Sequence, residues 1–356
     1  ILPVGISFYT FQTLSYTIDV YRNKMSPTRD FIGFAAFVCF FPQLVAGPIE
    51  RSTNLLPQFF NVRKFNYAKA ADGMRQMLWG LFKKVVIADS CAIYVNDIFG
   101  NYQGYPGSTL FLGAIFFAFQ IYGDFSGYSD IAIGTSRLFG FELKKNFAFP
   151  YFSRDIAEFW RRWHISLSTW FRDYLYIPLG GSRGGVSMRL RNTFIIFTVS
   201  GFWHGANWTF VIWGFLNALY FLPLLLLKSN RNNLDVVANG RFLPSIREFI
   251  QMLITFLLTV LAWIFFRAEN LPHALGYLNG IFSETFLSRP ADLPIKLFGL
   301  LLIFNVVEWI GRKNEYAIEF IVRFRLRVIR WACYLLILFF IILFSAEQQG
   351  FIYFQF

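Results

Sequence analysis

Between Arg191 and Lys228 the chain runs for 36 residues without an Asp, Glu, Lys or Arg. As a single helix that stretch would measure about 54 Å, whereas the hydrocarbon core of a bilayer is roughly 30 Å thick, so it must turn or cross twice. The side chain in it that titrates near neutral pH is His204, within Ser-Gly-Phe-Trp-His-Gly-Ala-Asn-Trp at 200–208. Residues 192–203 make about 18 Å of helix, which carries His204 past the bilayer midplane to a Gly-flanked break. Irregular backbone at that depth is tolerated only where protein or a water-filled cavity surrounds it. His204 is therefore a candidate for the bottom of an intramembrane tunnel.

The rest of the chain agrees with a membrane setting. Of 356 residues, 56% are hydrophobic, 21% aromatic and 15% charged, and the mean hydropathy is +0.46. With several further uncharged runs, this composition predicts an all-α, polytopic membrane protein rather than two soluble domains. The net charge of +12 belongs mainly to cytoplasmic loops, and no nucleic-acid recognition motif accompanies it. Cys39, Cys91 and Cys333 are isolated in apolar surroundings, and there is no CxxC or HExxH pattern, so neither a disulfide framework nor a metal site is expected. The chain starts at Ile1 without an initiator Met, which reads as a fragment of a longer protein.

Taken in order, residues 1–18 are uncharged and read as a span. Residues 31–49 are apolar but broken by Pro42 and Pro48, which suggests a re-entrant segment or, as the alternative, a Pro-kinked helix. Residues 50–69 are polar and basic. Residues 74–95, with Lys83, Lys84 and Asp89, read as a span lining the interior, and 98–123 gives another span after a loop at 101–107. Asp124 and Asp130 then fall beside that span; they either pair with Arg or cap a helix, or they line a substrate path. Residues 249–266 and 331–345 are strong spans and 295–310 a weaker one. The basic loops at 183–191, 228–247 and 312–330 belong in the cytoplasm by the positive-inside rule. There is no 20-to-50-residue repeat and no inverted pair of halves.

Three histidines are present. His273 reads as a surface residue of an outside loop. His164 falls at helical spacing from Trp160 and Ser168, on one face, and is either an interface histidine or functional. His204 is harder to explain as packing, because an ionisable group inside a membrane is functional by default. A neutral imidazole can take a proton from a hydroxyl, which fits acyl transfer from a thioester to an alcohol. A covalent Ser or Cys route finds no GxSxG support. Arg154, Arg161, Arg162, Arg172 and Arg183 gather around His164 and the Gly180-Gly181 turn. They suit either the phosphates of a nucleotide-bearing acyl donor or lipid headgroups.

Several long stretches resemble the membrane-bound O-acyltransferase family, and within it the bacterial alginate O-acetylation branch. They are residues 3–12 (Pro-Val-Gly-Ile-Ser-Phe-Tyr-Thr-Phe-Gln), 41–49 (Phe-Pro-Gln-Leu-Val-Ala-Gly-Pro-Ile), 122–130 (Tyr-Gly-Asp-Phe-Ser-Gly-Tyr-Ser-Asp), 159–168 (Phe-Trp-Arg-Arg-Trp-His-Ile-Ser-Leu-Ser), Trp203-His204-Gly205 and the closing 351–356. The resemblance implies one multi-helix domain over 1–356 with re-entrant segments around a central tunnel, and a few further spans upstream of Ile1. It assigns the family's near-invariant histidine to His204 and its second polar position to His164, as an assisting group.

The expected function is a multi-pass O-acetyltransferase of the bacterial inner membrane. It would use acetyl-CoA as donor and no permanently bound cofactor, and would serve an exported polysaccharide directly or through a periplasmic or extracellular partner acetyltransferase. Membrane lipid is the other partner. Trp203 and Asn207 are expected to line the tunnel and orient His204, with Trp160, Arg161 and Arg162 toward the substrate. The competing expectation is a polysaccharide or small-molecule transporter or channel, in which the histidines relay protons without acyl transfer.

Overall fold

The computed structural model describes residues 5–291, 293–345 and 349–351. Of the stretches that carry the resemblance, residues 3–4 and 352–356 lie outside these. Among the described residues there are fourteen α-helices and no strand: α1 (Ile6–Tyr21), α2 (Phe31–Val38), α3 (Ser52–Phe60), α4 (Tyr67–Leu81), α5 (Asp89–Gly100), α6 (Gly107–Leu138), α7 (Ile156–Arg162), α8 (Ile165–Phe171), α9 (Gly185–His204), α10 (Trp208–Leu226), α11 (Ile246–Arg267), α12 (Leu271–Ile281), α13 (Ile295–Gly311) and α14 (Arg327–Phe344). Four of them, α6, α10, α11 and α14, are long and apolar enough to cross a membrane. Helix α2, with eight residues, spans about 12 Å and cannot cross; it ends before Pro42, as a re-entrant segment would.

Helix α6 is the axis of the molecule, and it corrects the sequence reading. The span expected to end at Gly123 continues through Asp124 and Asp130 to Leu138, 32 residues in all. The carboxylates are tolerated inside it because a partner element brings the counter-charge. Helices α4 and α5 are joined by a π-helical segment, Phe82–Ala88, whose Lys83 meets Asp130 at 2.6 Å and whose Lys84 meets Asp124 at 3.0 Å and Asp89 at 2.7 Å. A buried charge with a partner has their mutual attraction to offset a desolvation cost that a lone one bears in full. The partners are lysines, where the sequence had suggested arginine.

Glycines let these helices touch. A Cβ on Gly73 would sit 2.5 Å from the Gly134 carbonyl oxygen, and one on Gly127 2.8 Å from that of Gly80. Small residues facing each other are how helices pack closely inside a bilayer. Helices α9 and α10 form the hairpin demanded by the long uncharged stretch, again through glycine: a Cβ at Gly201 would meet the Phe210 carbonyl at 2.2 Å, and one at Gly214 that of Phe197 at 2.2 Å.

The basic loops gather at one end. Arg161 donates to the carbonyls of Asn230 and Asn233 at 2.9 and 2.8 Å, and Arg312 to those of Val237 and Arg241 at 3.1 and 2.8 Å. The α9–α10 bend lies at the opposite end, where Asn207 donates to the Glu269 carbonyl at 2.8 Å in the α11–α12 connection.

Candidate active site

His164 does not lie on a continuous helix, contrary to the spacing argument. Helix α7 stops at Arg162, and His164 takes left-handed backbone angles, φ 43° and ψ 55°, before α8 starts. The irregular segment around Asn146 causes the break: Ile165 N–H donates to the Asn146 carbonyl at 2.9 Å and Ala148 N–H to the Arg162 carbonyl at 2.9 Å. Left-handed geometry in a non-glycine residue is strained, and it persists where surrounding structure over-determines it. Trp160 and Ser168 therefore do not share a helical face with His164.

Asn146, fully buried, determines which nitrogen of His164 carries the proton. Its side-chain oxygen accepts from Ser166 N–H at 3.2 Å and from the Ser166 hydroxyl at 2.9 Å, while its NH2 group donates to Ser129 Oγ at 3.1 Å. A backbone N–H can only donate, so this orientation of the amide is fixed. The same oxygen lies 3.1 Å from His164 Nδ1, so Nδ1 must hold the hydrogen. Nε2 is left with a lone pair, buried and without a hydrogen-bond partner among the described residues. A second proton would place a charge among aromatic rings with no water to solvate it. His164 is thus a neutral hydrogen-bond acceptor, walled by Phe125 at 4.6 Å and by Phe8 and Phe147, each at 6.3 Å between ring centres.

His204 is the last residue of α9. Its ring packs against Trp203 at 4.7 Å, Phe266 at 4.9 Å and Trp213 at 5.3 Å. The bend needs Gly205, where a Cβ would come within 2.7 Å of the Phe210 ring. The two imidazoles are linked by aromatic contacts: Trp203 touches Phe8 at 6.1 Å, and Phe8 stacks on His164 at 6.3 Å. One histidine sits at the α9–α10 bend, the other deeper beside the middle of α6.

The remaining sequence-derived candidates divide. Trp203 packs against His204 on one side and Phe8 on the other. Asn207 caps α10, its side chain accepting from Thr209 N–H at 3.1 Å. Trp160 donates to Asn217 at 3.2 Å and lines a cavity of about 250 Å³ with Ser200, Phe197, Arg172 and Arg231. Arg162 and Arg154 are both held by Glu158, at 2.7 and 3.0 Å, and Arg154 also by Asp235 at 2.9 Å. With Arg161 on the loop carbonyls, these arginines fasten the 228–247 loop to α7. Sequence reasoning missed Asn146 and its serines; the available signal was a lone amide between Lys145 and Phe147 in an otherwise unassigned loop.

A family model for the membrane-bound O-acyltransferases matches residues 6–266. The chain belongs to that family. It is 42% identical to "Probable alginate O-acetylase AlgI" of Pseudomonas aeruginosa over 321 residues, covering 89% of this chain and 59% of that protein. It is 35% identical to the peptidoglycan O-acetyltransferase of Helicobacter pylori over 408 aligned positions, 100% of this chain and 75% of that protein. With the teichoic acid D-alanyltransferase of Bacillus subtilis it shares 27% over 236 residues, 61% of this chain and 57% of that protein. The chain spans 59–64% of the length of the alginate relatives it matches. The family match includes every helix from α1 to α10 and almost all of α11, and so both His164 and His204.

Proposed function

We propose that the chain carries the catalytic region of an O-acetyltransferase that takes acetyl from a thioester at the end bearing the basic loops and delivers it to a hydroxyl at the other end. What supports this most is one arrangement: two imidazoles joined by aromatic rings, His164 beside the middle of α6 and His204 at the far bend.

The chemistry needs a base for the acceptor hydroxyl, since a thioester carbon is already activated. His204 takes the hydroxyl proton, the oxygen attacks the thioester carbonyl, the C–S bond breaks, and the departing thiolate takes that proton. The aromatic wall excludes water, which would otherwise hydrolyse the thioester. His164 can only accept at Nε2, so it suits an N–H of the donor's amide-bearing arm and holds the carbonyl in register. A positioned base contributes about 10²–10⁴ in rate.

Acetyl-CoA is the proposed donor. The acceptor is an exported or cell-wall polysaccharide, in keeping with relatives named for alginate and peptidoglycan, reached directly or through a partner acetyltransferase outside the membrane. The proposed location is the bacterial inner membrane with the three basic loops in the cytoplasm. To test this, the full-length protein is reconstituted in lipid vesicles with radiolabelled acetyl-CoA and polysaccharide or a candidate partner. Free CoA thiol and acetylated product in equal amounts are expected. Polysaccharide movement without thioester cleavage would instead mean a transporter.

A further inference from the structure

The arginines nearest His164 in sequence are occupied by Glu158, Asp235 and loop carbonyls, yet a basic pocket does lie next to the site. Arg51 stands just before α3 and is only 7% exposed. Its Nη2 meets Asp173 at 3.2 Å, its guanidinium lies over the Tyr174 ring at 4.5 Å, and its Nη1 is buried with no hydrogen-bond partner among the described residues. A charged donor left unpaired in a protein interior is costly unless something occupies it.

Arg51 lines a cavity of about 290 Å³ with Lys24, Lys144, Lys145, Arg172, Ser166 and Thr169 in its wall. Two carboxylates are also present, and both are engaged. Asp173 is shared by Arg51 and Arg172, the latter at 2.7 Å. Asp19 accepts from the Tyr174 hydroxyl at 2.6 Å and has Lys24 at 3.7 Å. Five cations against two acids leave the pocket positive. It lies at the end holding the Gly180-Gly181 turn, where Arg191 donates to the Leu179 carbonyl at 3.2 Å. Its floor includes Ser166, the residue that donates to Asn146 beside His164.

We propose that this pocket seats the phosphate groups of the thioester donor, with Arg51 Nη1 donating to a phosphate oxygen and Lys24, Lys144 and Arg172 supplying charge. A planar guanidinium with one free edge suits a phosphate oxygen, and flexible lysines at the rim add attraction without fixing geometry. The thioester arm then passes Ser166 on its way to His164. This rests on the thioester-using reading given above.

The test measures binding apart from chemistry. Full-length protein in nanodiscs of neutral lipid is titrated with CoA and with dephospho-CoA, for wild type, Arg51→Gln, Arg51→Lys and Lys144→Gln. Arg51→Gln is expected to weaken CoA about tenfold, the loss of one charge-assisted hydrogen bond, with Arg51→Lys recovering part. Lys144→Gln, at an exposed position, is expected to weaken it about threefold. In turnover the same variants raise KM for acetyl-CoA and leave kcat within a factor of about two. If folded Arg51→Gln and Lys144→Gln bind CoA as wild type does, the pocket assignment fails, while turnover in wild type keeps the acyltransferase reading. If phosphatidylglycerol in the discs displaces CoA from wild type but not from Arg51→Gln, the seat belongs to a lipid headgroup. If wild type neither binds CoA nor cleaves acetyl-CoA, the donor itself is wrong and the pocket proposal falls with it.

Discussion

His164 and His204 are both surrounded by rings, yet they are held in opposite ways. His164 is fixed by polar groups: strained backbone, a backbone hydrogen bond on either side of the α7–α8 break, and an amide whose orientation dictates the tautomer. His204 is held by shape, at the end of a helix whose hairpin depends on Gly201 and Gly214, with Trp203, Trp213 and Phe266 around its ring. A polar lock leaves an imidazole one chemical role, here acceptance at Nε2. An aromatic wall fixes a ring by its shape, through the contacts of Trp203, Trp213 and Phe266.

The largest expected effect separates the two directly. His204→Ala should lower acetyl transfer by about 10²–10⁴ with little change in Tm, whereas His164→Ala should cost less and fall partly on KM for the donor. Next comes the frame around His164. Lys83→Met strands Asp130 inside α6, and breaking one partner of a buried pair costs about 3–5 kcal/mol; thermal unfolding in detergent should show it, and Lys83→Met with Asp130→Leu should recover most of the loss. Because α6 carries Phe125 against His164, donor KM should suffer before any His204-dependent step.

Gly201→Ala probes the other frame. Its Cβ would lie 2.2 Å from the Phe210 carbonyl, so the hairpin must open, at about 1–3 kcal/mol, and kcat should fall with KM almost unchanged. Asn146→Ala removes the tautomer lock and leaves buried donors unpaired, worth about 1–3 kcal/mol; kcat should drop roughly tenfold. Were Asn146→Ala as active as wild type, the lock would have no catalytic consequence.

Much of this was legible in the chain. The α9–α10 hairpin, its break beside His204 and the grouping of basic loops follow from where charge is absent and where it collects. The run of α6 through Asp124 and Asp130 was not, because their tolerance depends on Lys83 and Lys84, some forty residues earlier in sequence. For the same reason helical spacing misjudged His164: the break is imposed by Asn146 backbone groups that no local pattern reveals. The arginines illustrate a further limit. Sequence counts charges near a motif, but only the fold shows that Glu158 consumes two of them while distant Arg51 keeps a free donor edge.

The measurement that bears most directly on a histidine-based acyl transfer is single-turnover loss of radiolabelled acetyl-CoA thioester, followed for wild type, His204→Ala and His164→Ala of the full-length protein with its acceptor present. Turnover by wild type, a loss of two or more decades in His204→Ala and a smaller loss in His164→Ala are predicted. Unimpaired turnover by a folded His204→Ala protein would contradict the assignment of His204 as the base.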